Sequence, residues 1–237
     1  MNAFESESLK IDCAGEALLL HPERAIYWPA QQTLFVADVH AGKEHTFGRH
    51  GIAIPDGISD QSLHRLFKLC DKAEARHLTV LGDFMHTAPH YDEKWLTSLS
   101  TLLDNHPQLS MSIVAGNHDK VEGRSIIDGR VSWFDNVKLQ PPFVLRHDPG
   151  DDSRGFVLCG HLHPTWRISH TRRTGLRAPI FWVRKNHAVL PAFGGFTGGV
   201  NIVPDVRHDR VFMTGSDCVV EIPLRTQHRR YRSDIPY

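Results

Sequence analysis

The sequence predicts an α/β fold with its chemistry-bearing side chains gathered at one edge of a sheet. Three observations predict it. In the first half of the 237 residues, short apolar runs alternate with segments of helical periodicity. In the second half, short β-like runs follow one another with turn residues between them. Five short blocks of Asp, Asn and His each stand directly after an apolar run: Asp38-Val39-His40, Gly82-Asp83, Gly116-Asn117-His118-Asp119, His147, and Gly160-His161-Leu162-His163. Strands deliver ligands to the edge of an open α/β sheet in this way.

Taken in order, residues 17–20 and 25–28 predict two strands around a His-Pro-Glu-Arg turn, and 33–37 a buried strand ending at Asp38. Residues 41–55 mix Gly, Lys, His and Arg and predict a loop or an irregular helix. Leu63, Leu66, Phe67, Cys70 and Ala73 stand three and four apart and predict an amphipathic helix over 59–75. Residues 78–81 form the next strand, closed by Gly82-Asp83. Trp95, Leu96, Leu99, Leu102 and Leu103 line one face of a helix over 92–104, and 111–115 runs as a strand into Gly116. Short runs at 137–139, 143–146, 155–159, 165–168, 180–183, 188–189, 211–213 and 219–222 predict a second, largely antiparallel sheet. The expected organisation is one domain over 1–225 and a polar tail over 226–237.

Composition narrows the class. With 41% hydrophobic and 23% charged residues, a sizeable core is expected. A formal charge of zero excludes a chain that is basic throughout. The charge is uneven, however. Residues 153–204 hold no Asp or Glu but carry Arg154, Arg167, Arg172, Arg173, Arg177, Arg184 and Lys185, which attract an anionic substrate or form a solvated hairpin. The four cysteines include no C-x-x-C pair, which argues against a zinc ribbon or disulfide framework. The start lacks a signal-peptide pattern, and no run of 18 apolar residues spans a membrane, so a cytoplasmic protein is expected.

From the ordered blocks, two Asp, one Asn and four His, with His118 left over, would suffice to hold two divalent metals. Hydrolysis of a phosphoester needs a nucleophile at neutral pH, neutralised phosphate charge and a protonated leaving group. Two metals about 3.5–4 Å apart supply the first two. Asp83, at the end of the central strand of three, is the candidate bridge. Asp38 and His40 alternate around Val39, and His161 and His163 around Leu162; on extended backbone each pair points one way. Asn117 offers a neutral carbonyl oxygen. His118 beside it is left for proton transfer to the leaving group. The thiolate-free ligand mix favours Mn²⁺, with Fe or Zn²⁺ as alternatives.

Secondary candidates carry plainer alternatives. His147 competes with His170 and His187 as a ligand. Asp119 either orients His118 or caps a turn, the former being preferred. Lys43, His45, Arg49 and His86 either meet phosphate oxygens or lie in solvated loops. Gly194, Gly195, Gly198 and Gly199 lack the Gly-Lys-Ser/Thr of a phosphate-binding loop and predict tight turns.

The order Asp-x-His, Gly-Asp, Gly-Asn-His-Asp, His, Gly-His-x-His resembles the calcineurin-like metallophosphoesterase superfamily. The flanking stretches AIYWPAQQTLFVADVHAGKEHTFGRHGIAIP, LGDFMH, AGNHD, GHLHP and LPAFGGFTGG resemble the bacterial DNA ligase-associated metallophosphoesterases, over roughly residues 15–222. The resemblance implies a four-layer α/β/β/α sandwich of two mixed sheets flanked by helices. It implies a first metal on Asp38, His40, Asp83 and His163, and a second on Asp83, Asn117, His147 and His161. His118 would be the general acid beside a metal-bridged hydroxide. The implied activity is a Mn²⁺-dependent phosphodiesterase or endonuclease in DNA repair, with DNA as substrate and a ligase and a helicase or exonuclease as partners. Rival readings are a phosphomonoesterase, a cyclic-nucleotide phosphodiesterase, or a non-catalytic scaffold. An apolar edge strand or exposed aromatic face could also make a homo-oligomer.

Overall fold

The structure, a computed structural model, describes residues 3–52, 55, 57–169, 175–195 and 197–224. The expected tail over 226–237, Arg172 and Arg173, and the rival ligand His170 lie outside the described residues.

Helix α1 (Ala3–Glu7) is followed by strands β1 (Leu9–Cys13), β2 (Glu16–His21), β3 (Ala25–Trp28) and β4 (Thr33–Val36). Helices α2 (Lys43–Arg49) and α3 (Ile58–Lys72) lead to β5 (His77–Leu81), α4 (Lys94–Asn105) to β6 (Ser110–Val114), and α5 (Val121–Arg124) to β7 (Val131–Phe134). These strands pair in sequence order, antiparallel from β1 to β4 and parallel from β4 to β7. Parallel neighbours need a crossover, and the amphipathic α3 and α4 supply two of them. The stretch that follows Asp38 contains a regular helix, α2, rather than a loop alone.

The second sheet holds β8 (Val137–Gln140), β9 (Phe143–Arg146), β10 (Phe156–Cys159), β11 (Pro164–Ser169), β12 (Gly175–Val183), β13 (His187–Val189), β14 (Val200–Asn201), β15 (Arg210–Thr214) and β16 (Val219–Ile222). Its order is β14-β11-β12-β13-β10-β9-β8, with β15 on β12 and β16 on β15. Most pairs are antiparallel, as the pattern predicts. The exceptions are β9–β10, β10–β13 and the short β11–β14 pair, which are parallel; because β9 and β10 run parallel, both end at one edge.

Alternation along the strands sorts the core into layers. Leu34, Val36, Leu78, Val80, Met111 and Ile113 face one way, against Leu63, Leu66 and Phe67 of α3 and Trp95, Leu99 and Leu102 of α4. Phe35, Leu81 and Val114 face the other way, against Phe143, Leu145, Leu158, Phe181 and Phe212 of the second sheet. The result is the two-sheet α/β sandwich expected from the sequence. Within the interface Lys138 Nζ donates to Thr79 Oγ1 (3.3 Å) and Ser112 Oγ (3.1 Å), which ties β8 to the first sheet by polar bonds.

Helix α1 is too short to show a period. It is held by one buried residue, Phe4, which stacks on His21 with ring centroids 4.3 Å apart, and by the Lys72–Glu7 ion pair. Burial depresses the His21 pKa from 6.5 to about 4, with the Lys72 charge acting the same way. A neutral ring in the fold contributes stability that is present above pH 6.5 and lost as pH falls through about 4. The urea midpoint should therefore fall more steeply between pH 7 and pH 4 in the wild type than in His21→Phe. Equal slopes would contradict this account of His21.

Candidate metal centre

Both sheets deliver side chains to a common edge. In the first sheet Asp38 and His40 follow β4, Asp83 follows β5, and Asn117 follows β6. In the second, His147 follows β9, and His161 and His163 follow β10. All seven sequence-predicted ligand residues come together here, in two groups. His163 Nε2 lies 3.3 Å from His40 Nε2 and 3.5 Å from Asp38 Oδ1. His147 Nε2 lies 3.0 Å from Asn117 Oδ1, while His161 Nδ1 lies 2.9 Å from that Nε2 and 3.1 Å from the same oxygen. Asp83 stands between the groups, its Oδ2 3.4 Å from His147 Nε2 and 3.9 Å from His40 Nε2. The rival ligand His187 is directed elsewhere, its Nδ1 3.0 Å from Asp151 Oδ1.

The donor set fits cations. Ligand atoms held about 2.1 Å from one ion at right angles sit about 3 Å apart, the spacing within the Asn117–His147–His161 triangle. Asp38 and Asp83 are buried, at 0% and 3% exposure, and the basic groups lying against them are imidazoles. Buried carboxylates need countercharge. Second partners fix which imidazole nitrogen faces inward. His147 Nδ1 donates to the Leu81 carbonyl (3.2 Å) and His163 Nδ1 to the Gly198 carbonyl (3.1 Å), leaving each Nε2 with a lone pair toward the site. Burial, then the neighbouring His163 and His118, hold the His40 pKa far below the usual imidazole range, so its ring is neutral. His163 is raised instead. Burial acts against its charge, but the Asp38 carboxylate and the Gly198 carbonyl outweigh burial.

The backbone differs from the extended geometry expected at the paired ligands. Asp38, His40, Asp83, His161 and His163 all have positive φ, from 46° to 72°. Left-handed residues costing about 1–2 kcal/mol each persist only where their surroundings hold them. Here the loops hold one another. The N–H groups of Asp38 and His40 donate to the carbonyls of Gly82 and Asp83, and the His161 N–H donates to the Asp38 carboxylate (3.0 Å). The His118 N–H donates to Asp83 Oδ1 (2.9 Å).

Glycine is dictated at two places by the close approach of the His147 and Asp83 side chains. A Cβ on Gly82, where φ is +84°, would stand 1.9 Å from His147 Nδ1, and one on Gly116 would stand 2.2 Å from Asp83 Oδ1.

His118 stands beside the paired groups, its Nε2 4.0 Å from Asp83 Oδ2 and its Nδ1 donating to the His86 carbonyl (2.7 Å). Asp119 does not orient it. The Asp119 carboxylate accepts from the backbone N–H groups of Phe84 (3.2 Å), Met85 (2.8 Å) and Gly116 (2.9 Å), so it joins the loop after β5 to the loop after β6. Burial raises its pKa to about 6 despite those bonds. His86 is central rather than a solvated loop residue. Its ring stacks on His118 with centroids 5.2 Å apart and meets His40 edge-on. Lys43 is buried at the start of α2, with Nζ 5.5 Å from the Phe47 ring centroid. Arg49 is turned to His90, Nη1 2.8 Å from Nε2. Within the basic stretch, Arg154 pairs with Asp152 and Arg184 with Asp209, so part of that charge is neutralised locally.

A Pseudomonas putida nuclease, MPE, known from its crystal structure, superposes on this fold. Identity is 32%, the match covers 90% of this chain and 100% of that one, and the TM-score is 0.75. The chain belongs to the family of that nuclease. Fainter likenesses are YfcE, a phosphoesterase from E. coli (12% identity, 81% of this chain and 99% of that one, TM-score 0.42), and a protein of unknown function from Aquifex aeolicus (19%, 60% and 81%, TM-score 0.39). No family model matches the chain, and no curated protein matches it.

Within this family member, the groups that sequence reasoning missed are mainly backbone atoms: the carbonyls of Leu81, His86 and Gly198. One side chain was also missed, Asp148, whose Oδ1 lies 3.8 Å from His161 Nδ1. Its place directly after His147 was the available signal. Gly82→Ala should displace the His147 ring and lower Mn²⁺ stoichiometry in calorimetric titration while leaving the helical signal in place. Unchanged stoichiometry and affinity would contradict the packing argument.

Proposed function

We propose that the chain is a dinuclear-metal-dependent phosphodiesterase that cleaves nucleic acid, with DNA as its substrate. The observation that carries this reading is the position of Asp83: one carboxylate oxygen within 4 Å of imidazoles from both ligand groups. Asp38, His40, Asp83 and His163 would hold the first ion, and Asp83, Asn117, His147 and His161 the second. Divalent ions held there, Mn²⁺ by ligand type, would supply neutralisation of phosphate charge and activation of a water. His118 serves as general acid. Its Nδ1–H is fixed on the His86 carbonyl, which leaves Nε2 to pass a proton to the leaving oxygen. His86 holds the plane of that ring by stacking and stays neutral at neutral pH. Burial, followed by the His118 and Lys43 charges, lowers its pKa to about 4.

The nuclease activity of the Pseudomonas putida relative supports nucleic acid as the substrate, as does the acid-free stretch over 153–204. The resemblance of the flanking stretches to ligase-associated enzymes supports a cytoplasmic role in DNA repair beside a ligase and a helicase or exonuclease.

The test is Mn²⁺-dependent hydrolysis of a chromogenic phosphodiester beside its monoester. The diester should be preferred. His118→Ala should keep its metal and lose about 10²–10⁴-fold in kcat, the range for one acid–base group. Asp83→Asn should weaken both metals and nearly abolish turnover. Preference for the monoester, or a His118→Ala protein that loses metal yet regains full rate on reconstitution, would overturn the assignment.

A further inference from the structure

Beside His163 a cavity of about 170 Å³ opens between the β2–β3 turn and the glycine-rich run before β14. It shares His163 with the candidate metal centre, and Arg24 lines it as well. That residue belongs to the His-Pro-Glu-Arg turn, which the proposed chemistry leaves without a task. Arg24 has φ +68° and its N–H donates to the His21 carbonyl, so the turn directs the side chain rather than continuing the strand. The guanidinium is half-buried, and burial lowers its pKa. Its Nη1 donates to the Ala192 carbonyl (3.1 Å). A guanidinium carries five N–H donors. Among the described residues no carboxylate pairs with this one, and the cavity lining contains no acidic residue. Arg65 lies near enough to add a second positive field, while its own guanidinium is occupied by Glu23, the Phe193 carbonyl and the Phe193 ring.

The glycine-rich run adds backbone donors. Gly195, Thr197 and Gly198 line the cavity, and their N–H groups make no hydrogen bond to another described residue. The Gly198 carbonyl holds His163. An arginine fork that shares a cavity with backbone N–H groups bonded to no other described residue offers donors for a phosphate, in the manner of backbone anion nests. Such a site beside a ligand of the first metal group is placed for the phosphate that neighbours the scissile one. Ala192, whose carbonyl Arg24 grips, bridges to Ala37, the residue before Asp38.

We infer that Arg24 and the N–H groups of Gly195, Thr197 and Gly198 form a subsite for the flanking phosphate of a nucleic-acid strand. The inference rests on the proposed nuclease reading. It makes the enzyme favour polynucleotides over isolated diesters, through contacts that carry no base sequence.

The test compares wild type with Arg24→Gln, in which the amide can still donate to Ala192, and with Arg24→Lys. Substrates are a chromogenic phosphodiester, which has no flanking phosphate, and a short oligodeoxynucleotide. Arg24→Gln should lower the oligonucleotide-to-diester ratio of kcat/KM by about 10–100-fold, mainly through KM, as loss of a charged hydrogen bond predicts. Arg24→Lys should restore part of the loss. In the His118→Ala background, Arg24→Gln should weaken oligonucleotide binding, measured by fluorescence anisotropy, and reduce the slope of log Kd against log salt by about 0.7–0.9. An unchanged ratio, an equal loss on both substrates, or unchanged binding and salt slope would overturn the subsite. A wild-type protein that cleaves neither diester overturns the nuclease reading instead, and the binding comparison still decides the subsite.

Discussion

The candidate centre depends on a single constraint: five of its seven candidate ligand residues are held in left-handed backbone conformations by bonds between loops. No one of those loops would keep such a conformation alone, because an L-residue at positive φ is strained. Each loop satisfies a neighbour. Gly82 and Asp83 accept from Asp38 and His40, Asp38 accepts from His161, and Asp83 accepts from His118. The carboxylates therefore act both as scaffold for the loops and as candidate ligands. Asp119 completes the network from below by accepting three backbone N–H groups.

The sandwich makes this network buildable. Parallel pairing places the ends of β4, β5 and β6 at one edge of the first sheet and the ends of β9 and β10 at one edge of the second. The apolar interface of Phe35, Leu81, Leu145, Leu158 and Phe181 brings the two edges into register. An isolated bridge between Ala37 and Ala192, continued by the N–H groups of Phe193 and Gly194 to Ala37 and Asp38, joins the first ligand loop to the chain after β13. The candidate centre is thus shared by both sheets, and neither could form it alone.

The seven candidate ligands that the structure brings together were legible because metal chemistry restricts residue type and because each block follows an apolar run. The strands at Ala25–Trp28, Phe143–Arg146 and Val219–Ile222 were legible to the residue for the same reason: alternating or continuous apolar runs between turn residues. Helix α1 was not, since five residues with one buried Phe show no period. Strand β7, with a single buried residue, was missed as well. The positive φ of Asp38 and its partners was invisible because tertiary bonds impose it against local preference. The same holds for the imidazole-orienting carbonyls, which every residue possesses. Asp119 illustrates the limit: its neighbour in sequence is His118, but its partners in space are backbone N–H groups, two of them over thirty residues away.

The measurement that tests this account most directly is anomalous diffraction from crystals grown with Mn²⁺. The account predicts two peaks about 3.5–4 Å apart, both coordinated by Asp83. One would be shared with Asp38, His40 and His163, the other with Asn117, His147 and His161. A single peak, or two peaks that share no carboxylate, would contradict it.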